Sequence, residues 1–215
     1  MKEFRKFQLI CLGWIAIGIA PVVLFFTIVV HRLPFLHSIS ESGTIANAVS
    51  PILPFCLGAL SLFSLTYAIK YKYDKTDVVL TSLMFAGFTA VAMQMCLSPY
   101  AVGNKIGVLA LSPETSGIVH NVGALVGFGG MILWITLCFT KSDKRKREQT
   151  KEKRERNIIY RNIGICMITS LAIFIFDWIG IFGDSFPTVF VVEAVMLTFG
   201  GVACLIKGGM FLTDK

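Results

Sequence analysis

The sequence contains the basic run Lys141-Ser-Asp-Lys-Arg-Lys-Arg-Glu-Gln-Thr-Lys-Glu-Lys-Arg-Glu-Arg156 between two apolar segments, residues 118–139 and 163–181. Each segment has about 20 residues, which lets a helix cross about 30 Å of hydrocarbon. A segment that faces lipid must satisfy its own backbone hydrogen bonds, so it is expected to be helical. The run and its flanks therefore predict two transmembrane helices joined on the side of the membrane that retains basic residues.

Four further apolar segments have similar lengths: residues 9–30, 52–69, 78–97 and 188–206. Of the 215 residues, 55% are hydrophobic and 15% are charged, a balance too apolar for a soluble domain of this size. We therefore predict a single all-α domain over residues 1–215, an integral membrane bundle of six transmembrane helices. Residues 140–157 form its basic cytosolic loop, in which pairs four residues apart, Lys144/Glu148 and Lys151/Glu155, predict a solvated helical extension of helix four or five.

The basic residues alternate by loop. Of the twenty, only Arg32 and Lys105 fall in the first, third and fifth loops. The positive-inside rule then predicts that the N-terminus and the C-terminus are both cytosolic. Because topology already explains the net charge of +7, we predict no nucleic-acid partner. Residues 140–157 also have the composition to attract anionic lipid headgroups, but their interspersed acids favour plain anchoring of the topology.

Ionisable groups inside a membrane span cost about 2.5–3.5 kcal/mol each, so their positions are informative. Asp177 lies in the fifth predicted helix and Glu193 in the sixth, both near the outer end. The inner halves of the helices contain almost nothing polar beyond Ser and Thr. We therefore predict an outer-side polar cluster that binds a ligand, composed of His37, Glu41, His120, Asn121, Asp177 and Glu193.

Simpler interpretations compete with a ligand site. Glu193 is equally suited to a structural hydrogen bond with a neighbouring helix, and Asp177 to an interfacial position beside Trp178. The histidines offer zinc ligands, but no two share metal-ligand spacing on one helix. The sequence therefore predicts no metal and no cofactor.

Two alternatives concern activity. A lipid-modifying enzyme, a hydrolase or acyl transferase, would use His120 as general base with Glu193 or Asp177 orienting it. No Gly-x-Ser-x-Gly nucleophile motif is present, so the sequence favours a protein that is not an enzyme. A proton-coupled transporter would need polar groups through the inner half of the bundle, and is the weaker alternative.

Three segments resemble one family. The loop Phe35-Leu-His-Ser-Ile-Ser-Glu-Ser-Gly-Thr44 is similar to the Pro-x-Ile-Ser-(Asp/Glu)-Thr-Gly signature of the DRAM-like membrane proteins, with Ser42 in place of the Thr. His120-Asn-Val-Gly-Ala124 and Glu193-Ala194 resemble two further motifs of that family. The family comprises six-span damage-regulated autophagy modulators and, more distantly, a factor for GPI-anchor lipid remodelling.

This resemblance implies a multi-pass protein of an endomembrane (lysosome or Golgi) or the plasma membrane. It also implies a link to autophagy or lysosomal membrane regulation, with membrane lipids as partners and no catalytic residues carried over. The leading expectation is therefore a non-enzymatic protein whose outer-side pocket engages lipid.

Overall fold

The computed structural model describes residues 2–30, 39, 52–70, 75–94, 96, 106–141, 149–181 and 188–211. Within these ranges the chain is helical throughout, apart from helix termini and a turn closed by an isolated bridge between Ile106 and Leu111. The described residues form six α-helices: α1 Lys2–Leu24, α2 Ile52–Lys70, α3 Lys75–Met93, α4 Pro113–Leu133, α5 Lys151–Trp178 and α6 Thr188–Gly208. π-helical turns extend α1 over Phe25–Val30 and α4 over Trp134–Phe139.

In the part of the chain that the structure describes, five helical segments are long and apolar enough to cross a membrane: Glu3–Val29, Lys75–Met93, Pro113–Phe139, Lys151–Phe176 and Thr188–Gly208. The all-α class is thus confirmed, and the chain is a multi-pass membrane protein. The helix α2 coincides with the second predicted segment to within one residue.

The helix ends meet in an alternating order. The Arg5 guanidinium of α1 lies over the Tyr67 ring near the end of α2, and Trp134 after α4 donates to Asp77 in the first turn of α3. Lys153 of α5 and Lys207 of α6 both donate to the Phe139 carbonyl. The N-termini of α1, α3 and α5 therefore lie at one end of the bundle with the C-termini of α2, α4 and α6. We call this end the basic end.

The helices α3 and α4 pack closely along a seam of glycines. A Cβ at Gly87 would lie 2.3 Å from the Gly127 nitrogen and 2.6 Å from the Gly123 oxygen. Only hydrogen fits there, so small residues set the approach of the two backbones. The Gly123-to-Gly127 spacing that the sequence shows on α4 is thus used for helix packing.

The helix α5 begins well before the apolar segment that starts at residue 163. Thr150 caps it, because the Thr150 Oγ1 accepts a hydrogen bond from the Lys153 N–H at 3.2 Å. The exposed Lys151 and Glu155 side chains form a pair at 3.9 Å, one turn apart. Part of the predicted basic loop, residues 151–157, is therefore the first two turns of a helix.

Candidate functional site

At the end opposite the basic end, Glu193 of α6 contacts Ile39, which lies in the chain between α1 and α2. Its Oε2 accepts a hydrogen bond of 2.6 Å from the backbone N–H of Ile39. Ile39 is buried, with 2% of its surface exposed. A charge-assisted bond to a backbone amide is among the stronger single contacts that a carboxylate makes. Glu193 thus attaches the backbone at Ile39 to α6.

His120 of α4 lies against the C-terminus of α3. It is buried, and its Nδ1 lies 2.8 Å from the Gln94 carbonyl oxygen. A carbonyl only accepts, so Nδ1 carries the proton and donates, and a neutral ring keeps Nε2 as an acceptor. The last carbonyls of a helix have no partner within the helix. His120 therefore satisfies one of the carbonyls that follow α3.

The Gln94 side chain contacts both the start of α4 and the turn at 106–111. Its Oε1 accepts a hydrogen bond of 3.2 Å from the Ser116 hydroxyl. A Cβ at Gly107 would lie 2.3 Å from the same Oε1, and Gly107 has φ +73°, a conformation that suits glycine. The Val108 N–H donates to the Met93 carbonyl at 2.7 Å. The turn at 106–111 therefore packs on the end of α3, as its apolar composition indicates.

The start of α4 explains why His120 points inward. The Ser112 hydroxyl accepts a hydrogen bond from the Thr115 N–H at 3.3 Å, and Pro113 occupies the first helical position. Both are favoured at a helix N-terminus. From this fixed start, Ser116 and His120 are one turn apart, so the helix repeat brings both side chains to α3.

The remaining predicted residues are distributed around this end. Asn121 follows His120 and is partly exposed, and Asp177 belongs to the last turn of α5. His37 and Glu41 lie outside the described residues. His120 and Glu193 make their described hydrogen bonds to different segments, since α4 packs mainly against α3 and α6 mainly against α1. In the described ranges, no three His, Cys, Asp or Glu side chains are grouped as metal ligands.

A second buried network lies at the basic end. The Trp134 Nε1–H donates to the Asp77 Oδ1 at 2.5 Å, with Trp134 fully buried and Asp77 6% exposed. The Tyr67 and Phe139 rings pack edge-on against Trp134, with centroids at 5.2 and 4.6 Å. Since these residues belong to α2, α3 and α4, the network fixes three helix ends together.

Two buried polar side chains at the basic end, Asp77 and Gln8, lie one residue outside the segments whose inner halves the sequence predicts to hold almost nothing polar beyond Ser and Thr. Besides Asp77, the buried Gln8 amide donates to the Thr66 hydroxyl at 3.0 Å and joins α1 to α2. Asp77 was missed because it follows a loop of charged residues and looks solvated. An acid at the N-terminus of an apolar segment, with a tryptophan available elsewhere, is the signal that could have found it.

The sites at both ends use their described polar groups first to hold backbone and helix termini. The arrangement can fix loops, present a polar surface at one end and concentrate positive charge at the other. Comparison of this chain with family models, with curated proteins and with solved structures gave no match.

Proposed function

We propose that this chain is a non-enzymatic, six-span endomembrane protein that engages membrane lipid at the end opposite the basic end. In this proposal α2 is the sixth span, and the basic end faces the cytosol with both termini. The resemblance to DRAM-like proteins supports a lysosomal or Golgi membrane and a connection with autophagy or lysosomal membrane regulation.

The hydrogen bond from the Ile39 N–H to Glu193 is the observation that carries the proposal. It links two of the three resembling segments through a direct contact. His37 and Glu41 are each two residues from Ile39 in the sequence, and two residues of chain span at most about 7 Å. In the proposal a lipid headgroup is bound beside Glu193, and these two residues are the candidates from the sequence to contact it.

The partners of Glu193 and His120 favour binding over catalysis. The Glu193 carboxylate accepts from a backbone amide, and the His120 Nδ1–H donates to a backbone carbonyl. A histidine base is normally oriented by a carboxylate, as in the alternative that pairs His120 with Glu193 or Asp177. The described bonds instead hold backbone in place: Glu193 binds the amide of Ile39, and His120 binds the carbonyl of Gln94.

Lipid co-purification tests the proposal. Glu193→Gln keeps an acceptor for the Ile39 amide, whereas Glu193→Leu removes it. We expect the protein purified in mild detergent to retain its bound lipid with Gln and to lose most of it with Leu, as measured by mass spectrometry. Glu114→Leu is the matched control, because Glu114 is an exposed acid in the first turn of α4 at the same end.

The enzyme alternative makes a different prediction for His120→Asn. An amide can donate to the Gln94 carbonyl but cannot act as a base near neutral pH, and loss of a general base costs about 10²–10⁴-fold in rate. We expect cells that express this variant at the wild-type level to keep the wild-type lipid composition. A change in membrane lipids that disappears in a folded His120→Asn protein would contradict the proposal and identify an enzyme.

A further inference from the structure

The turn at residues 106–111 has a buried base and an apolar, exposed tip. Ile106 at the base is 5% exposed, whereas Val108 and Leu109 at the tip are 70% and 57% exposed. Val108 has the largest exposed fraction among the large hydrophobic side chains that the structure describes. Packing on the bundle therefore explains the base of the turn but not the composition of its tip.

Apart from Gly107, the tip does not contain the residues that dominate turns in water. Gly, Pro, Asn, Asp and Ser are the usual turn residues, but residues 107–110 read Gly-Val-Leu-Ala. Ala110 has φ +49°, a backbone conformation that Gly or Asn adopts more readily. A single exposed apolar residue is ordinary on a protein surface. Two adjacent ones, followed by an alanine in this conformation, make a tip without polar side chains.

The contact of the turn with α3 gives its level in the membrane. The Val108 N–H donates to the Met93 carbonyl at 2.7 Å. Met93 is the last residue of Lys75–Met93, a segment that is long and apolar enough to cross the membrane. The start of α4 agrees, because its exposed residues change within one turn from Glu114 to Ile118. The backbone of the tip therefore lies at the level where the spans end, between the headgroups and the hydrocarbon.

The backbone of the turn suits a surrounding of low polarity. Ile106 and Leu111 exchange two backbone hydrogen bonds, of 2.8 and 3.1 Å, and the Ala110 N–H donates to the Gly107 carbonyl at 3.1 Å. With the Val108 bond, four of the six N–H groups of residues 106–111 donate within the protein. Backbone that enters lipid must satisfy its polar groups internally, because no water is there to bond them. The turn meets much of this requirement.

We infer that the tip of this turn, Val108 and Leu109, inserts between lipids at the boundary of headgroups and hydrocarbon, in the leaflet at the end opposite the basic end. The partner is the lipid surface itself, whose acyl chains cover the two apolar side chains. The inference does not rest on the recognition of a headgroup beside Glu193, and it is the same for either orientation of the bundle.

Fluorescence in nanodiscs tests the insertion. In a background without the six native cysteines, a small polarity-sensitive fluorophore is attached to Val108→Cys or Leu109→Cys in the full-length protein. Quenching is measured with iodide in the water and with phosphatidylcholine brominated near the ester end of its chains. Lys151→Cys is the control in water, since the Lys151 side chain is 80% exposed at the start of α5. Ile118→Cys is the control in lipid, since Ile118 is exposed on the span.

We expect the probes at positions 108 and 109 to behave like the probe at position 118. Iodide should quench them several-fold less than the probe at position 151, and brominated lipid should quench them strongly. Iodide quenching equal to that at position 151 would overturn the inference. Protection from iodide without quenching by brominated lipid would overturn it as well, because protein rather than lipid would then cover the tip.

Hydrogen exchange gives a second test, without a fluorophore. Val108→Ser with Leu109→Ser removes both apolar side chains. In nanodiscs this pair should lower the protection factors of the 106–111 amides about 100-fold, at about tenfold for each side chain, the lower end of what burial of Val or Leu contributes. Ala110→Gly is the matched control, because it relieves the positive φ and keeps both apolar side chains, so protection should not fall. Unchanged protection in the Ser pair would mean that water already surrounds the tip, which contradicts insertion.

Discussion

The two ends of the bundle secure their helix termini with different chemistry. At the opposite end, single polar groups each bond one backbone group: His120 to the Gln94 carbonyl and Glu193 to the Ile39 amide. At the basic end, a buried carboxylate and an indole hold the helices, and two lysines donate to the Phe139 carbonyl. The comparison therefore separates an end held by bonds to single backbone groups from an end held by a buried network of side chains.

The largest expected effect concerns the orientation of the two ends in the membrane, because a position is labelled either from one side or from the other. In a background without the six native cysteines, we expect Lys105→Cys and Asp184→Cys to react with an impermeant thiol reagent only from the lumenal or extracellular side. Glu148→Cys should react only from the cytosol. Cytosolic labelling at position 105 or 184 would reverse the two ends, and with them the side on which the lipid-engaging site is proposed.

The seam between α3 and α4 joins the two ends, because α3 carries Asp77 at one and leads into Gln94 at the other. Gly87→Ala places a methyl group against the Gly127 backbone, which no side-chain rotation relieves. We expect a loss of about 3 kcal/mol in the free energy of unfolding, the upper part of the usual overpacking range. Unfolding in mixed micelles of increasing denaturing detergent measures it.

Gly129→Ala is the control for the seam, since a Cβ there meets nothing within 4 Å. It should leave the unfolding free energy within about 0.5 kcal/mol of wild type, or raise it slightly through helix propensity. Equal destabilisation by both variants would show that the close approach of α3 and α4 at Gly87 does not determine the loss of stability.

The sequence predicts the apolar cores of the helices well and their polar ends poorly. The helix α6 begins at Thr188 as predicted, because hydropathy and helix start together there. The helix α5 begins at Lys151, before the apolar segment that starts at residue 163. Hydropathy does not show this start, but the Lys151/Glu155 spacing of four residues predicts a helical extension of helix four or five. The π-helical turn at Trp134–Phe139 is invisible to hydropathy, since the composition does not change there.

In the candidate sites, the sequence predicts which residues matter better than it predicts their partners. The sequence predicts Glu193 as a candidate site residue, because it is an isolated acid near the start of an apolar helix. Its partner is not readable, because the Ile39 amide is a backbone group that any residue supplies. The bond between Asp77 and Trp134 and the two lysine bonds to Phe139 depend on which helix ends meet. Such contacts between residues far apart in the sequence are set by tertiary packing, which a single sequence does not encode in a periodic pattern.

A smaller effect tests the buried network at the basic end. Trp134→Phe keeps most of the ring but removes the N–H that Asp77 accepts. We expect a loss of about 2 kcal/mol, within the range for a hydrogen bond to a charged group. Trp14→Phe is the matched control, because Trp14 is 51% exposed on α1 and should cost about 0.5 kcal/mol or less. Equal losses would mean that Asp77 gains little from the indole.

The smallest effect is expected at the opposite end, where a neutral group serves one carbonyl. The amide nitrogen of Asn can take the position of a histidine Nδ1, so His120→Asn can keep a donor for the Gln94 carbonyl. His120→Leu fills much of the same buried space without a donor. We expect Asn to be more stable than Leu by about 1 kcal/mol, the net value of one buried hydrogen bond. The two unfolding curves in mixed micelles measure the difference directly. If Leu proves as stable as Asn, the Gln94 carbonyl has another partner, and the fastening role assigned to His120 is wrong. If Asn lies well above Leu yet both lose lipid, then His120 acts on ligand as well as on the helix end.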